Sequence, residues 1–236
     1  MDFKTILEAG NLEGKNVLVR VDWNVPLENG SVSDDFRIKK SLPTIEYLQK
    51  AGAKVTLISH HDAEGETLQA VFEYAQKILP LTFNEPSDLV LLSNLRLDKG
   101  EVENSRDFAV KLATNMDIFV NEAFSESHRE YASIVGLPKL LPAYAGLQFT
   151  EEVKNLSNAF YPKHPFLLII GGAKFETKMP LIEKFLNIAD SVFIAGINAK
   201  PAFETDLKTN PKIIFPHGDI GALDADKETL ENLKKE

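Results

Sequence analysis

The sequence predicts an α/β protein in which a mostly parallel sheet is covered by helices on both faces. Two observations predict this fold class. Strand-like and helix-like segments alternate along the 236 residues, which is the chain order of βαβ units. The strand-like segments are short and rich in Val, Ile and Leu, a composition typical of strands that are buried on both faces.

Eight segments are predicted as strands, because each is a short apolar run between polar or turn-forming residues. In chain order they are Asn16–Trp23, Lys54–Ser59, Leu81–Phe83, Leu89–Ser93, Asp117–Asn121, Phe166–Ile170, Ser191–Ala195 and Lys212–Phe215. The Asn29–Gly30 pair after the first strand predicts a turn, since both residue types tolerate a positive φ.

Two helices have clear boundaries in the sequence. A pair of adjacent aspartates predicts the start of the first, and apolar residues recur at helical spacing from Ile38 to Leu48. Pro43 within this segment predicts a kink or a broken first turn. Thr150, followed by two glutamates, predicts the start of a second helix that ends near Tyr161–Pro165.

The composition excludes several classes of protein and site. The chain is 44% hydrophobic and 26% charged, as in ordinary globular proteins, and it has no cysteine for disulfides or zinc–thiolate sites. A net charge of −9 argues against binding of nucleic acid or of an anionic membrane. The N-terminus resembles neither a signal nor a transit peptide, and no apolar run could span a bilayer, so a cytoplasmic location is expected.

The first predicted strand runs directly into Asp22 and Asn24, at the edge where open α/β sheets bind ligands. Arg37 follows in the first turn of the next helix, although a helix N-terminus favours negative charge. One interpretation is structural: Asp22 and Asn24 satisfy turn backbone, and Arg37 pairs with Asp34 or Asp35. The other is that Arg37 faces an anion.

Basic and polar residues also follow the next three long predicted strands, where His60, Arg96 and Arg129 stand. Lysine dominates the 26 basic residues, and three of the five arginines follow apolar strands. Arginine suits bidentate recognition of carboxylate and phosphate. The alternatives are a histidine that caps a strand end and arginines that are merely solvated.

The sixth predicted strand is followed by a glycine pair and a helix with two lysines on one face. The residues are Gly171, Gly172, Lys174 and Lys178, and the glycines permit close approach of a phosphate to backbone N–H groups. The pattern matches neither G-x-G-x-x-G nor G-x-x-x-x-G-K-S/T, so an ordinary strand–helix turn is the alternative. Gly196 lies in a similar turn after the seventh predicted strand, with the same alternative.

Five motifs, in order along the chain, resemble those of the phosphoglycerate kinase family. The first matches R-V-D-x-N-V-P followed by D-D-x-R-I, and later segments resemble S-H-x-G-R-P, N-L-R, N-D-A-F-x-x-x-H-R-x-H-A-S and G-G-A-K-x-x-x-K. Three of these motifs depart from the family pattern. Asp62, Ala63 and Glu64 replace Gly-Arg-Pro, Ser93 replaces a glutamate, and Tyr131 replaces the second histidine.

The resemblance implies the family reaction, a reversible phosphoryl transfer between 1,3-bisphosphoglycerate and ADP that gives 3-phosphoglycerate and ATP in glycolysis. It implies that the phosphoglycerate is bound by Asp22, Asn24, Arg37, His60, Arg96 and Arg129. It assigns the nucleotide to Gly171, Gly172, Lys174, Lys178 and Gly196, and catalysis to Arg37 and Lys174. The resemblance implies that Mg²⁺ is bound together with the nucleotide. The carboxylate that usually ligates this ion in the family is absent from this chain, so no metal-ligating residue is assigned.

The resemblance also implies a domain organisation. Residues 1–148 would form a Rossmann-like phosphoglycerate-binding domain, residues 149–165 a hinge helix and linker, and residues 166–236 part of a nucleotide-binding domain. The family's W-N-G-P and G-G-G-D-T segments are missing, so the sequence is expected to be a fragment or a divergent relative with impaired activity. A monomer is expected. The alternatives are a non-catalytic anion-binding or interaction module descended from the enzyme, and an unrelated α/β phosphate-binding enzyme.

Overall fold

A computed structural model describes residues 3–62, 67–172, 174–220 and 225–234. The chain divides into two compact units, Met1–Lys154 and Asn155–Glu236, which we call the first and second units. No helix in the described part of the chain combines the length and the apolar character that crossing a bilayer requires.

The strands fall into two parallel sheets and one hairpin. In chain order they are β1 (Asn16–Arg20), β2 (Leu27–Glu28), β3 (Ser31–Val32), β4 (Lys54–Ile58), β5 (Thr82–Phe83), β6 (Leu89–Leu91), β7 (Ile118–Asn121), β8 (Ala143–Ala145), β9 (Leu167–Ile170), β10 (Ser191–Ile194) and β11 (Ile213–Ile214). All eight strands predicted from the sequence are present, most of them shorter at their ends than predicted.

The α-helices connect these strands, with short 3₁₀ turns and one π-helical turn (Ala132–Gly136) between them. In chain order they are α1 (Phe36–Lys50), α2 (Gln69–Ala75), α3 (Lys99–Val102), α4 (Arg106–Ala113), α5 (Leu147–Ser157), α6 (Phe175–Phe185), α7 (Ala199–Phe203) and α8 (Lys227–Leu233).

The sheet of the first unit has the strand order β5-β6-β4-β1-β7-β8, and every neighbouring pair is parallel. Arg20 at the end of β1 pairs with Ile58 of β4 and with Asn121 of β7, so these strands end at the same edge. The residues that follow them, at 22–24, 59–62 and 122–129, are therefore brought to one edge of the sheet.

Both faces of this sheet are buried. Val17 and Val19 of β1 pack with Ile45 of α1 in one apolar cluster. Leu18, which points to the other face, packs with Phe108 of α4 in a second cluster. Because successive side chains of a strand point to opposite faces, this alternation requires a layer of helices on each side. The predicted fold class is confirmed.

The turn predicted at Asn29–Gly30 is also confirmed, and it joins a hairpin that the sequence did not predict. Asn29 (φ 51°) and Gly30 (φ 75°) connect the antiparallel strands β2 and β3. A two-residue turn with positive φ at both positions matches the twist of a hairpin. The edge strand β8 was missed as well, because its three residues give too short an apolar pattern.

The two helix predictions have different outcomes. Pro43 does not break α1, which continues through it from Phe36 to Lys50, and a kink there stays a prediction. Ile38 and Leu48, on either side of the proline, are fully buried, and this packing offsets the backbone hydrogen bond that proline cannot donate. The helix predicted to start at Thr150 begins three residues earlier, at Leu147. The cause is a side chain distant in the sequence, which caps this helix.

The sheet of the second unit has the order β11-β10-β9, again parallel. Ile170 and Ile194 pair at the ends of β9 and β10, and the Ala195 N–H donates to the Ile170 carbonyl at 2.8 Å. Consequently the turn that starts at Gly171 and the turn that contains Gly196 lie side by side.

Candidate active site

The edge of the first sheet brings together four residues that the sequence singled out. The Asn24 side-chain amide donates to Asp62 Oδ2 at 2.7 Å, and the Asp62 backbone N–H donates to Asn24 Oδ1 at 3.2 Å. Asp62 Oδ1 forms an ion pair with Arg96, and His60 Nε2 lies 3.9 Å from the same oxygen. These contacts join the ends of β1 and β4 to the turn after β6.

Arg37 is held in place from outside its own helix. Its guanidinium lies 2.7 Å from Asp22 Oδ2 and donates to the Asn24 carbonyl at 3.2 Å. Ser125, after β7, donates its hydroxyl to the same Asp22 oxygen. The pairing of Arg37 with Asp34 or Asp35 that the sequence left open does not occur. Arg37 remains 47% exposed, so part of the guanidinium is free to meet a ligand.

The two aspartates before α1 have structural roles instead. Asp34 Oδ1 accepts the Phe36 N–H at 2.8 Å at the start of the helix. Asp35 pairs with Lys39 at 2.8 Å and accepts the Tyr74 hydroxyl. The charge of Asp35 is thus compensated by Lys39 of α1, and Arg37 forms its ion pair with Asp22 instead.

Arg20 fixes the protonation state and the orientation of His60. This fully buried arginine donates to Ser133 Oγ at 3.0 Å, to the Val21 carbonyl at 2.6 Å and to His60 Nδ1 at 2.9 Å. A guanidinium has only donors, so Nδ1 must accept and the neutral ring must carry its proton on Nε2. Burial, reinforced by the nearby charge of Arg20, lowers the pKa of His60 to about 2, which keeps the ring neutral.

Two buried donors at this edge have no hydrogen-bond partner among the described residues. They are His60 Nε2 and Arg96 Nε. Buried polar atoms in folded proteins are normally paired, and an unpaired N–H group costs free energy. Both atoms are N–H donors, so the group that would satisfy them is an acceptor such as a carboxylate or phosphate oxygen.

The pKa of His60 predicts a specific loss of stability in acid. Its pKa is lowered in the folded state, so the unfolded state takes up the proton first and the contribution to stability is lost as the pH falls below 6.5. From about pH 7 to about pH 5 this single group should remove about 2 kcal/mol of unfolding free energy. Denaturant titrations that follow Trp23, the one tryptophan and fully buried, measure it.

A matched comparison isolates the effect of His60. We expect His60→Gln to show a shallower decline of stability over this pH range than the parent chain, while His128→Gln, at an exposed position, should keep the parent slope. Equal slopes in all three proteins would show that His60 titrates normally in the folded state.

Arg96 and Arg129 both lie near one aromatic ring. The Arg96 guanidinium is 5.3 Å from the centre of the Tyr131 ring, and that of Arg129 is 6.0 Å from it. Arg96 also pairs with Glu126 at 3.3 Å, whereas Arg129 is exposed and forms no ion pair within the described ranges. Tyr131, which departs from the family pattern, therefore supports two arginines through cation–π contacts.

A cavity of about 260 Å³ opens beside this network in the first unit. Its lining includes Arg37 and Lys40, which face Asp22, Glu122 and Glu152. Lys40, one turn after Arg37 on α1, was not singled out from the sequence. The cavity lining mixes both signs of charge.

Glu122 forms the far wall of this cavity and fixes the start of α5. Its carboxylate accepts the N–H groups of Gln148 and Phe149, both at 3.1 Å, and the hydroxyl of Thr44. The N–H groups of a first helical turn have no acceptor within the helix itself. Glu122, which is distant in the sequence, provides that acceptor and so acts as an N-cap for α5. Burial raises the pKa of Glu122 above its usual value. A cap 26 residues away explains why the start of α5 was misplaced.

The glycine pair of the second unit forms an open turn before α6. Gly171 and Gly172 are exposed, with nothing within 4 Å of where a Cβ would stand, and Gly172 has φ +92°. Lys174, at the N-cap of α6, has a left-handed backbone (φ 61°), which is strained for a side chain other than glycine. Ala173, between them, lies outside the described residues. The geometry fits a phosphate bound above the glycines at a helix N-terminus.

The other predicted nucleotide-binding residues lie in the same unit. Lys178 is half-buried one turn after Lys174 on α6, and Gly196 (φ 60°) begins the neighbouring turn. Asn198, in that turn, is buried, and its Nδ2 has no partner among the described residues. Asn198 is thus a further candidate donor that the sequence did not single out.

The structure thus brings together five of the six predicted substrate residues in one contact network. Arg129 is connected to it through the Tyr131 ring and through its backbone N–H, which donates to the Glu126 carbonyl at 2.9 Å. The nucleotide residues form a cluster of their own in the second unit. Glu126 and Ser125 were missed, because no spacing rule distinguishes them from other polar loop residues. Within the described residues, no group of three or more His, Asp or Glu side chains is arranged to hold a metal ion.

A family model and curated relatives match most of the chain. Residues 7–206 match the family model described as phosphoglycerate kinase. The phosphoglycerate kinase of Methylorubrum extorquens strain PA1 is 39% identical to this chain over 219 residues, and that of Caulobacter vibrioides strain NA1000 is 40% identical over 220 residues. Each match covers 83% of this chain and 55% of the relative. The chain therefore spans about half the length of the curated relatives it matches.

Solved structures give the same result for the fold. The phosphoglycerate kinase of Coxiella burnetii superposes with a TM-score of 0.81 at 26% identity, covering 99% of this chain and 77% of that one. The phosphoglycerate kinase of Pyrococcus horikoshii OT3 gives 0.84 at 25% identity, covering 99% and 78%. The chain belongs to the phosphoglycerate kinase family.

Proposed function

We propose that this chain binds phosphoglycerate in its first unit and nucleotide phosphate in its second, as part of a phosphoglycerate kinase. The reaction is reversible phosphoryl transfer between 1,3-bisphosphoglycerate and ADP, giving 3-phosphoglycerate and ATP. The observation that carries the substrate half is the pair of buried, unpartnered donors, His60 Nε2 and Arg96 Nε, beside Asn24 and Arg37. An anionic ligand would supply the missing acceptors.

Each residue of the first unit has a distinct part in this proposal. Asp22 binds no anion itself and acts by orienting Arg37. Arg37, Arg96 and Arg129 supply positive charge, while Asn24 and neutral His60 supply hydrogen bonds without charge. Guanidinium groups suit this task, because they bind carboxylate and phosphate oxygens in pairs.

The residues of the second unit fit a nucleotide phosphate. The space above Gly171 and Gly172 admits a phosphate against the backbone, with Lys174 beside it at the helix N-terminus. Lys178, on the next turn, supplies a further positive charge. Bound with the nucleotide, Mg²⁺ would neutralise phosphate charge, and it characteristically keeps several waters and is held mainly by substrate phosphates.

The chemistry asks mainly for positioning and charge compensation. In the direction of ATP synthesis, an oxygen of the ADP β-phosphate forms a bond to phosphorus while the bond to the acyl oxygen breaks. Arg37 on the substrate side and Lys174 on the nucleotide side would compensate the charge of the transferring group. We propose residues 1–148 and 166–236 as the two domains and residues 149–165 as the hinge helix and linker.

Calorimetry with 3-phosphoglycerate tests the substrate pocket. We expect the parent chain to bind weakly, and Arg37→Ala and Arg129→Ala each to bind at least about tenfold more weakly still, since a charged hydrogen bond to a ligand is worth about 1.5–3 kcal/mol. Arg106→Ala, at an exposed position on α4, is the matched control and should bind like the parent. If both pocket variants also bind like the parent, the pocket is wrongly assigned.

A non-catalytic anion-binding module is the second candidate, because Asp62 already pairs with Arg96. A coupled assay on the 236-residue chain separates the two. We expect slow turnover or none. Turnover that is abolished by Lys174→Ala would support the kinase and exclude the non-catalytic module. A monomeric, cytoplasmic protein is part of the proposal, and size-exclusion chromatography and cell fractionation test it.

A further inference from the structure

Asp62 is a carboxylate placed inside a site that is built to bind carboxylates and phosphates. Its Oδ2 accepts from the Asn24 amide at 2.7 Å, and its Oδ1 pairs with Arg96. Both partners belong to the proposed phosphoglycerate pocket. The two contacts are those that an anionic group of a ligand would make with the same donors.

The local charge around Arg96 is already compensated without a ligand. Its guanidinium meets Asp62 through one nitrogen and Glu126, 3.3 Å away, through another. His60 adds no charge, because its ring is neutral, and its Nε2 lies 3.9 Å from Asp62 and 3.8 Å from Glu126. One guanidinium therefore faces two carboxylates, and an incoming anion must compete with them for Arg96.

Exposure distinguishes the two carboxylates. The Asp62 side chain is 54% exposed, whereas that of Glu126 is 13% exposed. Exposed ion pairs are weak and easily separated in water. Asp62 can thus leave Arg96 and Asn24 when a stronger anion arrives, while Glu126 stays with the pocket wall.

We propose that Asp62 is a specificity-determining residue that acts as a tethered competitor for the anion-binding donors Asn24 and Arg96. A ligand anion must displace its carboxylate, so affinity for phosphoglycerate is set by this competition. The inference rests on the proposed function, since it assumes that the pocket takes an anion. In the segment where Asp62, Ala63 and Glu64 replace Gly-Arg-Pro, the aspartate thus weakens anion binding. Ala63 and Glu64 lie outside the described residues.

The test compares anion binding to the full chain with and without the Asp62 carboxylate. Asp62→Asn keeps the side-chain size, and Asp62→Ala removes the competing acceptor as well. Glu46→Gln is the matched control, because Glu46 is 53% exposed, pairs with Lys50 and lies on the surface of α1. Calorimetry uses two probes, 3-phosphoglycerate and inorganic sulfate, and Trp23 fluorescence with thermal melting checks that each variant is folded.

We expect both Asp62 variants to bind 3-phosphoglycerate roughly tenfold more tightly than the parent, because Asp62 is more than half exposed and its repulsion of a ligand anion about 4 Å away is then close to that in water. Glu46→Gln should be unchanged. Tighter sulfate binding without detectable phosphoglycerate binding would support the role of Asp62 and overturn the proposed substrate. Equal or weaker binding of phosphoglycerate by the folded Asp62 variants would overturn the role of Asp62 and leave the pocket standing. If neither anion binds to any variant, both proposals fail.

Discussion

Substitution of Gly146 by alanine is expected to lower the unfolding free energy of the first unit by about 3 kcal/mol, the upper range for overpacking and for lost buried hydrogen bonds. A Cβ at this position would stand 1.9 Å from Glu122 Oε2 and 2.5 Å from its Cδ. The carboxylate cannot move aside without breaking its bonds to Thr44 and to the first turn of α5. Denaturant unfolding monitored by Trp23 fluorescence measures the loss.

A double-mutant cycle shows whether Glu122 is the cause. Glu122→Ala alone should also destabilise, since it leaves the N–H groups of Gln148 and Phe149 without their acceptor. In that background, however, Gly146→Ala should cost far less, because the atoms it would meet are gone. An undiminished cost would place the steric conflict elsewhere.

This pair also bears on the proposed substrate pocket. Glu122 and Gln148 line the cavity that contains Arg37, and Glu122 sets where α5 begins. We therefore expect a variant that shifts the carboxylate to change the width of the cavity as well as the stability. The requirement for glycine is steric contact, not backbone conformation, since no left-handed φ is found at this position.

Replacement of Arg20 by methionine should have the other large effect, a loss of about 3–5 kcal/mol, as for one partner removed from a buried ion pair. Arg20 and Glu101 are both fully buried and are linked by Ser133, which donates to Glu101 and accepts from Arg20. Burial lowers the pKa of Arg20, and the negative charge of Glu101 opposes that shift. Without Arg20, the charge of Glu101 would be buried and uncompensated.

The design of this experiment separates charge from packing. Methionine keeps most of the volume, and Glu101→Gln in the same chain should recover part of the lost stability, because it removes the isolated charge. Arg106→Met, at an exposed position, should change stability by less than about 0.5 kcal/mol. A double variant no more stable than Arg20→Met would show that the two charges are not coupled.

Arg20 connects stability to the proposed function. It lies at the end of β1 and fixes the tautomer of His60, so the Nε2 donor of that ring is available to a ligand in advance. The sequence analysis did not assign Arg20 to the site. As the last residue of a buried strand, it is distinguishable from a solvated arginine only once its buried partners are known.

Local patterns in the sequence were sufficient for eight of the eleven strands in the described residues and for the positions of the site motifs. Short runs of Val, Ile and Leu predict buried strands, and parallel strands place their carboxyl ends at one edge. The convergence of Asp22, Asn24 and His60 followed from that rule alone. The turn at Asn29–Gly30 followed from the backbone freedom of those two residue types.

The tertiary structure decided which charges meet. Arg37 pairs with Asp22, 15 residues away, although two aspartates stand closer in the chain. Arg96 meets Asp62 across 34 residues, and the cap of α5 comes from Glu122 across 26. Electrostatic and hydrogen-bonding partners depend on distance in space, which sequence periodicity does not encode. The sequence by itself thus determined the sheet, the family motifs and the edge at which they lie, while only the folded chain showed that the acidic side chain of Asp62 pairs with Arg96 and Asn24 at this edge.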